Sequence, residues 1–551
     1  METTKNEARE DDVQISAEAR FAAVSAEAQA ATAKEHSMSL WRGIKTYPHA
    51  IGWSILFSTA IIMEGYDVVL MGSFFAYPAF ENRYGDLQPD GSRVLSAAWQ
   101  AGLTNGMNCG QILGLMATGI VAERFGYRKT MLGALTSVIG FIFILFFAPN
   151  KPALIAGEIL MGIPLGVFQT VTVTYASEVC PVVLRAYLTT YVNLCWVIGQ
   201  IVGSAVLRAL LSRTDEWAYR IPFAVQWVWP VPLIIAISLA PESPWWLVRK
   251  GRIDEATASL RRLANGPEDD LTETVSMMVH TTTLEAQLSE GTSYWSCFSS
   301  SNIRRTEISC LTWAVQNLCG AGLMGYSTYF YENAGLPTAK SFDMSLAQYG
   351  IGFFGTLFSW VLMSHLGRRT LYVGGLFTLC GLLMIVGFIS LAPGASTIIT
   401  NADGSTQSSN IATAWATGSM LLVYTFVYDS TVGPVCYSLV SEIPATRVRN
   451  KTVVLARNLY NVFSIVNGIV IPYMLNPTAW HWEGKAGFFW GGLCFLSATW
   501  AFFRLPEPRG RTFSELDALF EKGVPARKFA SEYVDVFGQE SEKSAGIEHK
   551  E

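Results

Sequence analysis

Two stretches decide the reading of the fold: residues 177–185, SEVCPVVLR, and residues 441–449, SEIPATRVR. Each follows an apolar block, each sets Glu directly after Ser, and the interval from Glu178 to Arg185 equals that from Glu442 to Arg449. Working outward, two further pairs occur in the same order. Arg124-Phe125-Gly126-Tyr127-Arg128 answers to His365-Leu366-Gly367-Arg368-Arg369, and Pro241-Glu242 answers to Pro506-Glu507. Three pairs in one order mark a duplicated unit.

The blocks between these motifs are apolar over about 20 residues, as at 131–148, 223–240 and 370–391, enough for a helix to cross roughly 30 Å of hydrocarbon. Such blocks begin near residues 50, 97, 130, 152, 187, 222, 307, 345, 370, 411, 452 and 485. The expectation is an all-α integral membrane protein with twelve transmembrane helices in two six-helix halves. A polar stretch, 241–306, separates the halves 46–240 and 307–505, with tails at 1–45 and 506–551. Composition agrees, because half of the 551 residues are apolar and 15% are charged, which is too apolar for a soluble chain of this length. Net charge is −5, so no nucleic-acid partner is expected. Nine scattered cysteines lack ligand spacing, and neither a metal site, a cofactor nor a disulfide framework is expected. The first forty or so residues lack the apolar core of a cleavable signal, so the first span itself is expected to target the chain.

Basic residues sort to one side: Arg124, Arg128 and Lys129, then Arg185, then Arg368 and Arg369, then Arg447, Arg449 and Lys451. Those loops, and both termini with them, are expected in the cytosol. Glu123, Arg124, Arg128, Glu178, Arg185, Glu242, Arg368, Arg369, Glu442, Arg449 and Glu507 then stand at cytosolic helix ends. Carboxylate and guanidinium groups there can pair across neighbouring helices as a latch that favours one of two rigid arrangements. Orientation signals and weak surface pairs are the alternative reading.

Ionisable groups inside spans are costly and therefore candidates for function. Glu64 and Asp67 lie three apart on the first span, hence on one helical face, and Glu158, Asp429 and Arg457 fall on the fourth, tenth and eleventh. The expected proton carrier is Asp67, with Glu64 or Glu158 as second carboxylate and Arg457 as counter-ion from the other half. A static buried ion pair joining the halves is the alternative.

The ordered set of residues 119–129 (GIVAERFGYRK), 241–247 (PESPWWL), 316–320 (QNLCG), Gly433-Pro434 with Ser441-Glu442, and 506–512 (PEPRGRT) resembles the sugar porter family of the major facilitator superfamily. Residues 65–80 (GYDVVLMGSFFAYPAF), 168–200 and 448–461 (VRNKTVVLARNLYN) are most similar to fungal maltose-type α-glucoside permeases. The resemblance implies the major facilitator fold and a plasma-membrane proton symporter for maltose, trehalose, sucrose or a related sugar. The chain departs from the family at Glu123, at Ser364-His365, at Glu158 where Arg is common, and at Tyr437 where Trp is common. Sugar binding needs amides for paired hydrogen bonds and aromatic faces against the rings. Gln200, Gln316, Asn317 and Asn461 match positions where sugar porters bind substrate, Tyr437 is an aromatic wall supported by the motif, and Gln169 is a further candidate. Tyr326, Tyr329 and Trp415 are other aromatic candidates. Helix-gluing amides and interfacial aromatics are the competing explanation.

The expected partners are a sugar, protons and membrane lipid, with no obligate protein partner evident. A passive facilitator and a sugar sensor remain alternatives. No phosphate-binding glycine loop ending in Lys-Ser or Lys-Thr, and no nucleophile with a matched base, argues for an enzyme.

Overall fold

The computed structural model describes residues 38–532 apart from 90, 266–267, 290–292, 301, 395–397, 401–405, 409, 446–447, 510 and 512. Most of the N-terminal tail, residues 533–551 of the C-terminal tail, and Arg447 therefore lie outside the described residues. Within the described part the chain is a bundle of long helices. Ten are long and apolar enough to cross a membrane. These are α1 (Pro48–Phe74), α3 (Tyr127–Phe146), α4 (Lys151–Val179), α5 (Val182–Leu210) and α6 (Trp217–Ser238) in the first half. The second half supplies α8 (Thr338–His365), α9 (Arg368–Ile389), α10 (Ile411–Glu442), α11 (Arg449–Leu475) and α12 (Ala486–Arg504).

Two further elements take the places of the second and seventh expected spans. The 29-residue α2 (Ala97–Phe125) carries Gln100, Asn105, Asn108 and Gln111 along its length, which lowers its apolarity. α7 (Ile303–Leu318) continues as Gly322–Gly325 and Ser327–Asn333 after a break at Gly320, whose φ is +93°. A positive φ of this kind suits a residue without Cβ.

The duplication visible in the motifs reappears in the packing. α2 packs on α4 as α8 does on α10, α1 on α5 as α7 does on α11, and α3 on α6 as α9 does on α12. The halves meet where α5 packs on α8 and α2 on α11. Helices inside lipid gain little from burying apolar surface against each other, so close approach of small residues holds them together. The α1–α5 contact illustrates this: a Cβ on Gly65 would fall 2.0 Å from the Trp196 carbonyl oxygen, and one on Gly199 would fall 2.1 Å from that of Ile62.

Much of the polar stretch 241–306 is helical rather than extended, with Pro244–Arg249, Ile253–Leu263 and Glu268–Ser289 lying beyond the ends of the membrane helices. A short helix, Leu40–Thr46, precedes α1 inside what the sequence marks as tail. Past α12, the helix Phe513–Glu521 is tied back to the start of α7, because Arg305 pairs with Asp517 and the Arg304 guanidinium donates to the Val524 carbonyl at 2.8 Å.

Candidate functional site

The α1 helix sets Glu64 and Asp67 on neighbouring turns, and both carboxylates are buried. They do not share partners. The Oε1 of Glu64 accepts from the Gln111 amide of α2 at 3.4 Å and from the Gln169 amide of α4. Oε1 of Gln169 in turn accepts from Nη2 of Arg457 on α11 at 2.5 Å. A continuous chain of hydrogen bonds thus runs Glu64–Gln169–Arg457 from one half to the other.

Asp67 turns instead into the first half. Its Oδ1 accepts from the Gln226 amide at 2.8 Å, and its Oδ2 has no partner. Glu158 on α4, 0% exposed, has no partner for either carboxylate oxygen, and it stands close enough to Asp67 for their charges to repel. Buried polar atoms are almost always bonded. Three carboxylate oxygens here, Asp67 Oδ2 and both of Glu158, depart from that rule and make this the candidate site. Asp429 is the remaining intramembrane acid, and it packs against α8 beside Gly352.

In the second half the guanidinium of Arg457 lies over two rings, Trp313 at 5.1 Å and Tyr460 at 4.7 Å from their centroids. A cation held over aromatic faces keeps a favourable environment away from water. Trp313 also meets Tyr437 edge-on, 5.8 Å between centroids, and its buried indole N–H has no partner. Trp313 is missing from the sequence-derived candidates. The signal was available, since Trp313, Gln316 and Asn317 follow the i, i+3, i+4 spacing that puts side chains on one helical face.

The amides divide into two groups. Asn317 is consumed in holding α7 to α11: its Nδ2 donates to the Tyr460 carbonyl at 3.0 Å and to Ser464 Oγ at 3.1 Å, and Asn467 donates to its backbone carbonyl at 2.9 Å. That is the helix-gluing role. Gln316 donates to the Gly433 carbonyl at 3.3 Å. Gln200 is buried on α5, and Asn461 is buried with an unbonded Nδ2. Trp415 on α10 is 39% exposed. Tyr326 and Tyr329 are buried; Tyr326 stacks on Phe75 and donates to Thr104 Oγ1 at 2.9 Å across the two halves.

At the end of the bundle carrying the repeated motifs, Glu178, Glu242, Glu442 and Glu507 find their partners within one half and the segment that directly follows it. The Glu242 carboxylate accepts from the backbone N–H groups of Tyr127, Arg128 and Ser243 at 3.0, 3.2 and 3.1 Å, capping the start of α3. Burial pushes this carboxyl above its usual range, against the opposing pull of those three donors. Glu507 repeats the arrangement at α9, accepting from Arg368 and Arg369 N–H at 2.9 and 3.1 Å. Anionic groups are favoured at helix N-termini. Glu178 pairs with Arg249 at 2.7 Å and accepts from Tyr127 and Ser243; Glu442 pairs with Arg368 at 3.2 Å. Arg185, seven residues after Glu178, donates to the Ser177 carbonyl at 3.1 Å. Arg128 donates to the Ser238 carbonyl and Arg369 to those of Leu505 and Phe502. Glu123 contributes its carbonyl to Trp246 Nε1, and Arg124 lies over Phe125. Where the second copy lacks an acid, Arg509 reaches back to the Ser364 and His365 carbonyls.

At the opposite end bonds join the halves. Arg208 of α5 pairs with Asp343 of α8 at 2.6 Å, Ser73 meets Thr328 at 3.1 Å, and Asn476 donates to the Leu95 carbonyl at 2.9 Å. Nearby, Glu81 is pushed up to about 9 by burial and then by the Glu332 carboxylate.

Residues 53–520 match the family model described as sugar (and other) transporter. The chain is 43% identical over 520 residues to the general alpha-glucoside permease of Saccharomyces cerevisiae, covering 93% of this chain and 82% of that one. It is 43% identical over 533 residues to the maltose permease MAL61 of Saccharomyces cerevisiae, covering 95% and 84%. Among solved structures, the partially occluded inward-open xylose transporter XylE of E. coli superposes with a TM-score of 0.67 at 18% identity, covering 85% of this chain and 99% of that one. That likeness speaks to the fold alone.

Proposed function

We propose, from the premise that the chain belongs to the sugar (and other) transporter family, that this multi-pass membrane protein imports an α-glucoside di- or oligosaccharide together with a proton by alternating access. Twelve spans in halves 46–240 and 307–505, linked by 241–306, both termini in the cytosol and the plasma membrane as its location complete the reading. The names of its α-glucoside and maltose permease relatives support the substrate class.

One observation carries the coupling. The chain Glu64–Gln169–Arg457 crosses the interface between the halves, and beside it on α1 and α4 lie Asp67, with Oδ2 unbonded, and Glu158, with neither oxygen bonded. A sugar hydroxyl both donates and accepts, so sugar arriving between Gln200, Gln316, Asn461 and Tyr437 competes with Arg457 for Gln169. A proton on the Asp67–Glu158 pair relieves the repulsion of two buried acids at the same time. If two acids share one proton, the titration belongs to the pair. Loaded with sugar and proton, the two halves lose the bond that fixes their relative tilt and can rock about it.

With the motif end in the cytosol, the bonded end with Arg208 and Asp343 is extracellular, and the pairs Glu178–Arg249 and Glu442–Arg368 brace each half as a rigid body. The decisive experiment is uptake of labelled maltose, trehalose, sucrose and glucose by a transport-deficient host with external pH recorded. Uptake of one or more α-glucosides with matching alkalinisation is expected. Uptake without any proton signal would make the chain a facilitator.

A further inference from the structure

Past α12 the chain returns to the bundle at a short turn, Ala526–Lys528. There the exposed Arg527 lies over two rings at the end of α12, its guanidinium 4.6 Å from the centroid of Phe502 and 4.9 Å from that of Phe503. A second guanidinium, that of Arg369 at the start of α9, lies 5.6 Å from the centroid of the same Phe502 ring. The two arginines stand close enough for their charges to repel. Like charges gathered at one ring call for a counter-ion. Glu507, the acid that acts on Arg369, is taken up by the backbone N–H groups that start α9. Among the described residues neither Arg369 nor Arg527 forms an ion pair.

The rings indicate where the counter-ion comes from. Phe502 and Phe503 are 37% and 56% exposed, and they continue the outward face of α12 that carries the exposed Phe495 and Leu496 two helical turns earlier. Phe377 of α9 meets Phe495 edge-on, 6.5 Å between centroids, so the two helices present one apolar surface. Such a surface on membrane spans faces acyl chains. Where it ends come the two guanidinium groups and, next in sequence, the exposed Lys528. Apolar surface capped by adjacent positive charges is complementary to an anionic phospholipid. Arg369 donates to the Leu505 and Phe502 carbonyls at 2.8 Å each, and a guanidinium has more N–H donors than those two bonds use. Arginine can grip phosphate oxygens with two parallel bonds. We propose that the ends of α9 and α12, with the Ala526–Lys528 turn, form a site for one anionic phospholipid, its phosphate between Arg369 and Arg527 and its acyl chains along Phe502 and Phe503.

This site goes beyond the transport reading and takes from it only the cytosolic placement of this end, where the leaflet is anionic. It also bears on α7. Two residues past Arg527, the buried Phe529 lies under the Arg304 guanidinium at the start of α7, 5.7 Å to the ring centroid, and meets Phe520 edge-on at 4.9 Å. Arg305 lies over Phe520 at 4.4 Å. A headgroup that holds Arg527 against α12 therefore holds the turn, and through it the tail that clasps the start of α7. The lipid acts as a removable pin for the second half.

The test uses the purified full chain in neutral detergent, with short-chain phosphatidylserine, short-chain phosphatidylcholine and inorganic phosphate as probes and affinity read by titration. The parent should bind phosphatidylserine at least about fivefold more tightly than phosphatidylcholine, the scale of one basic residue at an anionic surface. Inorganic phosphate should bind weakly, because it has no acyl chain for the phenylalanines. Arg527→Gln should weaken phosphatidylserine binding by about fivefold and Arg527→Glu by more, with phosphatidylcholine unchanged in both. Arg213→Gln, at an exposed arginine paired with Asp215 beyond the far end of α5, is the control and should match the parent. Phosphatidylserine should raise the melting temperature of the parent by more than that of Arg527→Gln. In the parent itself, a photoactivatable phosphatidylserine should label peptides containing Phe502 and Phe503 or Arg527, which tests the site even where a variant fails to fold.

Equal phosphatidylserine affinity in the parent and Arg527→Gln would overturn the proposal, as would labelling confined to other helices or a parent that does not distinguish the two lipids. Inorganic phosphate bound as tightly as the lipid would overturn it in favour of a soluble anion. Neither sugar nor a pH gradient enters these assays. Failure of the transport reading therefore leaves their result untouched, and failure of the lipid site leaves transport standing.

Discussion

Replacing Asp67 by Asn keeps the shape of the side chain and removes its capacity to cycle a proton. The structure indicates how little else changes. The Gln226 amide donates to Asp67 Oδ1 at 2.8 Å, and an Asn oxygen can accept the same bond. The new Asn Nδ2 falls where Oδ2 has no partner. Folding should therefore be near neutral. Asp67→Ala, by contrast, strands the buried Gln226 amide, which costs about 1–3 kcal/mol, and serves as the stability control. The functional effect is much larger. One proton crossing with the sugar brings about 2.3 kcal/mol per 100 mV of potential and about 1.4 kcal/mol per pH unit. Under 100 mV and one pH unit together, about 3.7 kcal/mol supports accumulation of about 500-fold, at about 1.4 kcal/mol per tenfold. Asp67→Asn should bring that ratio to about one while exchange of labelled sugar down its gradient continues. The assay is accumulation of labelled maltose in reconstituted vesicles, with internal pH followed alongside and thermal melting of Asn and Ala variants compared. Continued uphill accumulation with an undiminished proton signal would refute the role of Asp67, and Glu158→Gln and Glu64→Gln would then identify the carrier.

Three further outcomes follow from the geometry. Gln200→Ala and Gln316→Ala should each weaken sugar affinity by about 1–3 kcal/mol, read by titration of the purified protein; unchanged affinity for every transported sugar removes both from the site. Arg208→Ala should favour outward opening only modestly, by about 0.2–1 kcal/mol, because both partners of the ion pair are about 40% exposed and water screens such pairs. Cysteine labelling from outside reads this, and the exchanged pair Arg208→Asp with Asp343→Arg should restore the parent. Glu81, held near 9 in the closed arrangement, makes that closure pH-dependent. Because the closed-state value is raised above the ordinary 4.5, its contribution is complete below about pH 4.5 and lost as pH rises through about 9. External labelling should increase over that window in the parent and stay flat in Glu81→Gln; a flat parent excludes the role.

The architecture was legible because it is written in long-range pattern. Apolar blocks of membrane length gave the spans, and three ordered motif pairs gave the duplication that the packing repeats. Two of the expected spans are not among the ten for local reasons: the amides along α2 lower its apolarity, and the break at Gly320 limits α7 to 16 residues. The pairings were less legible. Glu178 and Arg185 sit a fixed distance apart in sequence, yet Arg249 supplies the charge to Glu178 because the helix Pro244–Arg249 folds back under the bundle. No local pattern announces that return. Glu64 and Asp67 share a helical face by spacing, but residues three apart differ by about 60° around the axis. That angle is enough to turn one toward α2, α4 and the other half, and the other toward Gln226. Trp313 was overlooked because an aromatic on a membrane helix reads first as an interfacial anchor.

The contrast between repeated and unrepeated residues bears directly on mechanism. Glu242 and Glu507 cap equivalent helix starts in the same way, and Glu178 and Glu442 each take an arginine, Glu178 from the connecting segment and Glu442 from its own half. Such symmetric parts make two similar rigid bodies and cannot by themselves distinguish a symporter from a facilitator. The chemistry lies where the symmetry fails. The first half contributes Glu64, Asp67 and Glu158, whereas the second contributes Arg457 clasped by Trp313 and Tyr460. Glu158, with neither oxygen bonded, and Asp67, with Oδ2 unbonded, are a standing cost in a membrane, and Arg457 is committed through Gln169 to Glu64. A carrier that only equilibrates sugar has no use for such a pair. One that must take up a proton before the halves can move needs it, and needs it beside a bond that sugar can break.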